Sequence, residues 1–178
     1  IAVDDKSFHR FMREAKTAAK LTHQNIVSVY GMGIEQNTPY YAMEFVEGKT
    51  LSQLIKQIKE MEAESPTVFG RKECAGYFEN LGRAFANVAD GLQHAHAKGI
   101  IHRDIKPSNL MLDKKGCLRI LDFGLAHLEG QETITGSGDL LGTLFYMSPE
   151  QAKVKKIPID HRTDISSLGA TMYELLTF

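Results

Sequence analysis

Between Ser7 and Leu21 the apolar positions Phe8, Phe11, Met12, Ala15, Ala18 and Ala19 recur every three or four residues. That spacing predicts an amphipathic helix, with Asp4 and Asp5 ahead of it, where negative charge suits the helix dipole. The pattern then changes: "NIVSVYGMGIE" and "PYYAMEFVEG" are dense in Val, Ile and Tyr and flank the turn residues Gln36-Asn37-Thr38-Pro39. They predict two strands paired antiparallel. Thr50 to Lys59 predicts a short helix, and the polar, periodless "EMEAESPTVFGRKE" predicts a connector. Tyr77, Leu81, Ala84, Phe85, Val88, Leu92 and Ala95 mark one face of a long second helix that stops at Lys98-Gly99. His94 and His96, two apart, point to different sides of that helix, so they are expected to be structural rather than to chelate one metal. "LMLD", "KKG" and "CLRIL" predict a hairpin with glycine at its tight position, and "SLGATMYELLT" a last helical run.

A hairpin returns the chain to the end it left, so Asp122, after the second arm, is expected beside Asn109, just before the first. The octapeptide "HRDIKPSN", residues 102 to 109, ends on that asparagine. A carboxylate and an amide oxygen converging without Cys or His make a hard-oxygen site suited to Mg²⁺ with phosphate and water. Asp104, expected to be held apart from that pair by Pro107, can accept a proton from a hydroxyl. Lys106, two residues on, can neutralise charge on a transferring phosphoryl group. Together these residues fit in-line phosphoryl transfer, in which positioning and electrostatics supply most of the catalysis.

Composition narrows the partners. With 21 Lys+Arg against 22 Asp+Glu among 178 residues, the net charge of -1 offers no basic stripe for a nucleic-acid backbone. The two cysteines, Cys74 and Cys117, lie in no CxxC or Cys/His cluster and are expected to be free thiols in a cytoplasmic setting. No apolar run approaches the roughly 18 residues that span a bilayer.

"HRDIKPSN" resembles the catalytic loop of eukaryotic-type protein kinases, "DFG" at Asp122 to Gly124 their metal-binding motif, and "GTLFYMSPE" their substrate-docking and Ala-Pro-Glu segment. "KPSN", "LGTLFYMSPEQA" and "SLGATMYELLT" resemble the bacterial, serine/threonine-specific branch. The resemblance implies an α+β, bilobal kinase fold in part. Residues 1–46 would be a partial N-lobe with helix C, strands 4 and 5 and the hinge; residues 47–178 would be a partial C-lobe through helix F. It implies ATP and Mg²⁺, a protein substrate with a Ser or Thr acceptor, Asp104 and Lys106 in catalysis, Thr143 in acceptor docking, and Asn109 and Asp122 on the metal. Glu14 resembles the helix C glutamate and Met43 the gatekeeper. Glu44-Phe45-Val46 resembles the hinge, with Glu44 and Val46 on adenine through their backbones and Met111 packed beneath the base. His102 and Phe123 fit the apolar stack between the lobes, Glu150 closes the Pro-Glu motif, and Asp164 resembles the helix F aspartate that holds the catalytic loop, with a helix N-cap as its plainer alternative.

The glycine-rich loop and third-strand lysine of the family are absent from this stretch, and Lys6 stands too close to Glu14 to serve. The chain is therefore expected to be a fragment, with the apolar faces of Ala15, Ala18 and the Met172 to Leu176 stretch lacking partners. A small-molecule phosphotransferase remains an alternative, opposed by Lys106 and "GTLFYMSPE". A pseudokinase or scaffold is another, opposed for the parent protein by Asp104, Asn109 and Asp122. In relatives with an arginine at the place of Arg103, that residue grips a phosphorylated activation-loop residue. Four residues before Thr143 this chain has Asp139, expected to substitute for phosphate with His127 as a second grip. Thr133, Thr135 and Ser137 are candidate modulating phosphosites.

Overall fold

The order of elements is β1 (Val29–Glu35), β2 (Thr38–Met43), β3 (Gly48–Thr50), α1 (Leu51–Glu60), α2 (Tyr77–His96), a 3-10 turn (Pro107–Asn109), β4 (Leu110–Asp113), β5 (Leu118–Ile120), α3 (Pro149–Ala152) and α4 (Arg162–Thr177). These come from a computed structural model that describes residues 19–36, 38–60, 76–123, 144–152 and 158–177. The helix expected over Ser7 to Leu21 lies almost wholly outside the described residues, as does nearly all of the polar connector.

Two antiparallel sheets result, β1-β2 and β3-β4-β5. The first is the expected hairpin, with Glu35 opposite Thr38 and Val29 opposite Met43. Both its arms are shorter than the apolar runs suggested. Residues 25–27 lie along β5 instead: Val27 N–H donates to Ile120 O at 2.9 Å and Ile120 N–H to Asn25 O at 2.8 Å. At the other end β2 stops at Met43, and the chain re-forms a strand only at Gly48, now against β4. A Cβ at Gly48 would stand 2.1 Å from Leu112 O, so the close approach of these strands requires glycine.

Thr50 ends β3 rather than starting α1, and it caps that helix reciprocally. Its Oγ1 accepts from Gln53 N at 3.2 Å, while its own N–H donates to Gln53 Oε1 at 2.9 Å. In the β4–β5 hairpin, Asp113 turns its carboxylate onto the N–H groups of Lys115 and Cys117, both at 2.9 Å, and Gly116 takes φ +81°. Strand alternation puts Leu110, Leu112, Leu118 and Ile120 on the buried face and Met111, paired with Arg119, on the other.

The long helix α2 runs through the core, burying Leu81, Val88, Leu92 and Ala95 completely. Each such leucine contributes about 1.5–3 kcal/mol. Helix α4 crosses it, and Tyr77 Oη donates to Leu175 O at 3.2 Å. Burial pushes the Tyr77 hydroxyl above its ordinary pKa. Leu175 is therefore buried and Met172 and Leu176 are packed against the core, which corrects the expectation that this stretch lacks partners. Those side chains face α2 and its neighbours within the chain.

Candidate active site

Asp164, in the first turn of α4, is completely buried and anchors the loop after α2. Its Oδ2 accepts from His102 N at 2.9 Å and His96 Nε2 at 2.7 Å, and its Oδ1 from Arg103 N at 2.7 Å. The carboxylate thus points away from its own helix onto three donors, a geometry distinct from an N-cap. His96 is structural in this arrangement, as expected from the sequence. Arg103 pays for the loop's path with φ +69°, a left-handed conformation costing about 1–2 kcal/mol. Charge-assisted hydrogen bonds of about 1.5–3 kcal/mol each outweigh that strain.

His102 fixes the two ends of the site relative to each other. Its Nδ1 accepts from Asp104 N at 3.2 Å, so Nε2 carries the proton and donates to Leu121 O at 2.7 Å. Its ring meets Phe123 edge-on, with centroids 4.8 Å apart. The backbone then brings Asp122 to Asn109, because Leu121 N–H donates to Asn109 O at 2.9 Å. Asp122 itself takes φ +55°.

Pro107 does not separate Asp104 from Asn109. It opens the 3-10 turn that folds Asn109 back, so that Nδ2 donates to Asp104 O at 2.8 Å and Oδ2 at 2.9 Å. Lys106 Nζ reaches the same Oδ2 at 2.9 Å. Both side chains thus meet Asp104 on Oδ2. With its amide nitrogen on Asp104, Asn109 keeps Oδ1 as an acceptor, which the Ser108 hydroxyl approaches only at 3.5 Å. That oxygen and the Asp122 carboxylate make a donor set that fits a hard cation completed by phosphate and water. Among the described residues no group of three or more His, Cys, Asp or Glu could hold a metal.

Of the expected hinge, Met43 ends β2 and Phe45 is 88% exposed. The Glu44 side chain is committed elsewhere: its carboxylate takes both terminal nitrogens of Arg119, Nη2 at 2.7 Å from Oε2, and accepts from Ser28 N at 3.4 Å. Arg119 Nη2 also donates to Ile26 O at 3.1 Å. The guanidinium holds the Glu44 carboxyl below its usual range, and Glu44 raises Arg119 in turn. Only the Glu44 backbone remains for a nucleotide, and Glu44 N already donates to Ser28 O at 2.8 Å. Val46 and Met111 are both half-buried, Met111 on the Arg119 face of its sheet.

Beyond the loop, α3 carries Glu150, whose carboxyl the backbone N–H at the helix start holds below its ordinary pKa. Gln151 on the same turn reaches Arg103 O with Nε2 at 2.8 Å. Sequence reasoning missed Gln151, Ser148, Thr163 and Arg119. The signal available was Arg119 inside the apolar run "CLRIL"; Ser148, Gln151 and Thr163 stand in polar stretches that carry no such mark. Glu14, Gly124, His127, Thr133, Thr135, Ser137, Asp139 and Thr143 lie outside the described residues.

The protein kinase domain family model matches residues 2–178. The chain belongs to the protein kinase family. It is 39% identical to the serine/threonine-protein kinase PrkC of Bacillus subtilis over 176 residues, 99% of this chain and 24% of that protein. It is 34% identical to the serine/threonine-protein kinase PknB of Mycobacterium leprae over 182 residues, 99% of this chain and 26% of that protein. The chain thus spans about a quarter of the length of these relatives and falls in the bacterial serine/threonine branch of the family. The crystal structure of the M. tuberculosis PknI kinase domain superposes with a TM-score of 0.69 at 28% identity, covering 98% of this chain and 57% of that one. The α+β architecture is accordingly part of the bilobal kinase fold. The family uses ATP with a divalent metal and acts on proteins. Among the described residues no helix is long and apolar enough to cross a membrane.

Proposed function

We propose that the protein bearing this chain transfers the γ-phosphate of ATP to serine or threonine hydroxyls of protein substrates in the cytoplasm, with residues 1–46 and 47–178 contributing to its two lobes. The reading rests chiefly on one observation: Asp104 carries the Asn109 amide and the Lys106 ammonium on the same oxygen. Asp104 takes the proton of the acceptor hydroxyl as the hydroxyl oxygen bonds to phosphorus, and the bond to the β-phosphate oxygen breaks to leave ADP. Lys106 balances the charge that builds on the transferring group. Asn109 Oδ1 and the Asp122 carboxylate would hold Mg²⁺, which supplies electrostatic stabilisation to the phosphates. The backbones of Glu44 and Val46 and the Met111 side chain would receive the adenine, and Thr143 would face the acceptor. Arg103, with its buried Nε unpartnered among the described residues, would grip Asp139 alongside His127, with Thr133, Thr135 and Ser137 modulating that contact.

The test is Asp104→Asn in the full-length protein, assayed on a peptide acceptor. Turnover should fall by about 10²–10⁴-fold, the usual cost of losing a general base, while Mg²⁺-ATP binding is kept. Near-normal turnover would sink the assignment.

A further inference from the structure

Arg103 and Asp104 are joined by a peptide plane held at both ends by side chains. Its N–H end, on Asp104, donates to His102 Nδ1 at 3.2 Å, and its C=O end, on Arg103, accepts from Gln151 Nε2 at 2.8 Å. The Gln151 amide has one workable orientation. Its Oε1 accepts from Ser148 N at 3.0 Å and from Thr163 Oγ1 at 3.1 Å, so Nε2 must face Arg103. With the Thr163 hydroxyl proton given to Gln151, Ser148 Oγ donates to Thr163 Oγ1, and both residues are completely buried. Thr163 directly precedes Asp164, which takes the Arg103 N–H. The start of α4 therefore holds both sides of a residue in a left-handed conformation, directly on one side and through Gln151 on the other.

We infer that Gln151 is a positioning residue for Asp104: it fixes the peptide plane preceding that carboxylate and ties α3 to the catalytic loop. The inference rests on the kinase reading for Asp104's part in transfer, while the holding of the plane stands on geometry alone. Without the Gln151 donor, the plane is held only at its N–H end by the longer 3.2 Å bond to His102, that bond loosens as the Arg103 carbonyl rotates, and the carboxylate is displaced from the acceptor hydroxyl. Nucleotide contacts, which come from other segments, are untouched.

The experiment uses Gln151→Glu and Gln151→Met in the full-length protein. Glutamate keeps an oxygen for Ser148 N and the Thr163 hydroxyl but sets a second oxygen against the Arg103 carbonyl. Methionine removes the donor without adding charge. For Gln151→Glu, kcat should fall by about 10- to 100-fold with the KM for ATP within about twofold of wild type, since a displaced reacting group costs turnover rather than uniform binding. The methionine variant should lose less. Hydrogen exchange of the amides of residues 102–106 should quicken in both, with Tm little changed for glutamate. A purely structural Gln151 would lower Tm and leave kcat and loop exchange alone, and that result overturns the inference. So does unaltered loop exchange in either variant, whatever the turnover. If the wild type transfers no phosphate, the kinase reading falls with Asp104's role, and the exchange arm alone decides whether Gln151 holds the loop.

Discussion

Replacing Asp164 by asparagine separates a loop anchor from a helix cap. As an N-cap, Asn would serve about as well as Asp, so the change would be nearly neutral. As the acceptor of three buried N–H groups, the site has no good place for an amide. With its oxygen toward His102 N and His96 Nε2, the amide nitrogen faces Arg103 N–H; flipped, it faces the other two. The better orientation loses one charge-assisted bond, about 1.5–3 kcal/mol, and leaves a buried donor unmet, about 1–3 kcal/mol, so the sum is about 2.5–6 kcal/mol. For a domain of this size each kcal/mol moves Tm by about 2–4 °C, which predicts a fall of about 5–24 °C. Arg103 then loses what offsets its φ of +69°, and the Asp104 backbone should shift enough to cost about 10²-fold in kcat. Thermal unfolding and steady-state kinetics of the full-length variant check both numbers. A Tm lowered by less than about 2 °C, which is under 1 kcal/mol on the same scale, would refute the anchoring argument and restore the cap.

The Glu44–Arg119 pair carries a pH signature. Because the folded Glu44 carboxyl sits below its ordinary 4.5, its stabilisation is present above that pH and is lost as pH falls through the folded value. Arg119→Met should therefore cost most near neutrality and progressively less below pH 4.5, and a wild-type-minus-variant difference that stays flat across acid denaturant titrations would rule this out. The same variant removes the guanidinium that fixes the Glu44 carboxylate and Ile26 O and should raise the KM for ATP more than it lowers kcat; the reverse split counts against a hinge role. Gly48→Ala forces a Cβ to 2.1 Å from Leu112 O, a clash with backbone that should cost about 1–3 kcal/mol, and an unchanged melting temperature would mean the β3–β4 approach is softer than drawn.

The element order could be read from the chain because each signal is local. The i, i+3, i+4 spacing of Leu81, Ala84, Phe85, Val88 and Leu92 makes one helix face apolar whatever packs on it, and alternation in "LMLD" and "LRI" does the same for a strand. The short-range chemistry of "HRDIKPSN" was equally legible, since Asp104, Lys106 and Asn109 lie within six residues and one 3-10 turn decides their geometry. Even there the sense of that turn is not legible in the sequence, because Pro107 sets a φ angle but not the direction in which Asn109 folds. Contacts across long separations belonged to the tertiary structure: Glu44 with Arg119, Gln151 with Arg103 and Asp164 with His96, while the hold of Asp164 on the loop was legible only through the family resemblance. Periodicity states which face of an element is buried, whereas a buried hydrogen bond needs two particular groups brought within about 3 Å. That match is fixed only when α2, α4 and the β4–β5 hairpin have packed. The run from Asn25 to Gly48 shows the same division: its strand-forming composition was plain, yet β5 took residues 25–27 at its start and β4 took Gly48 at its end because their unpaired edges lay within reach.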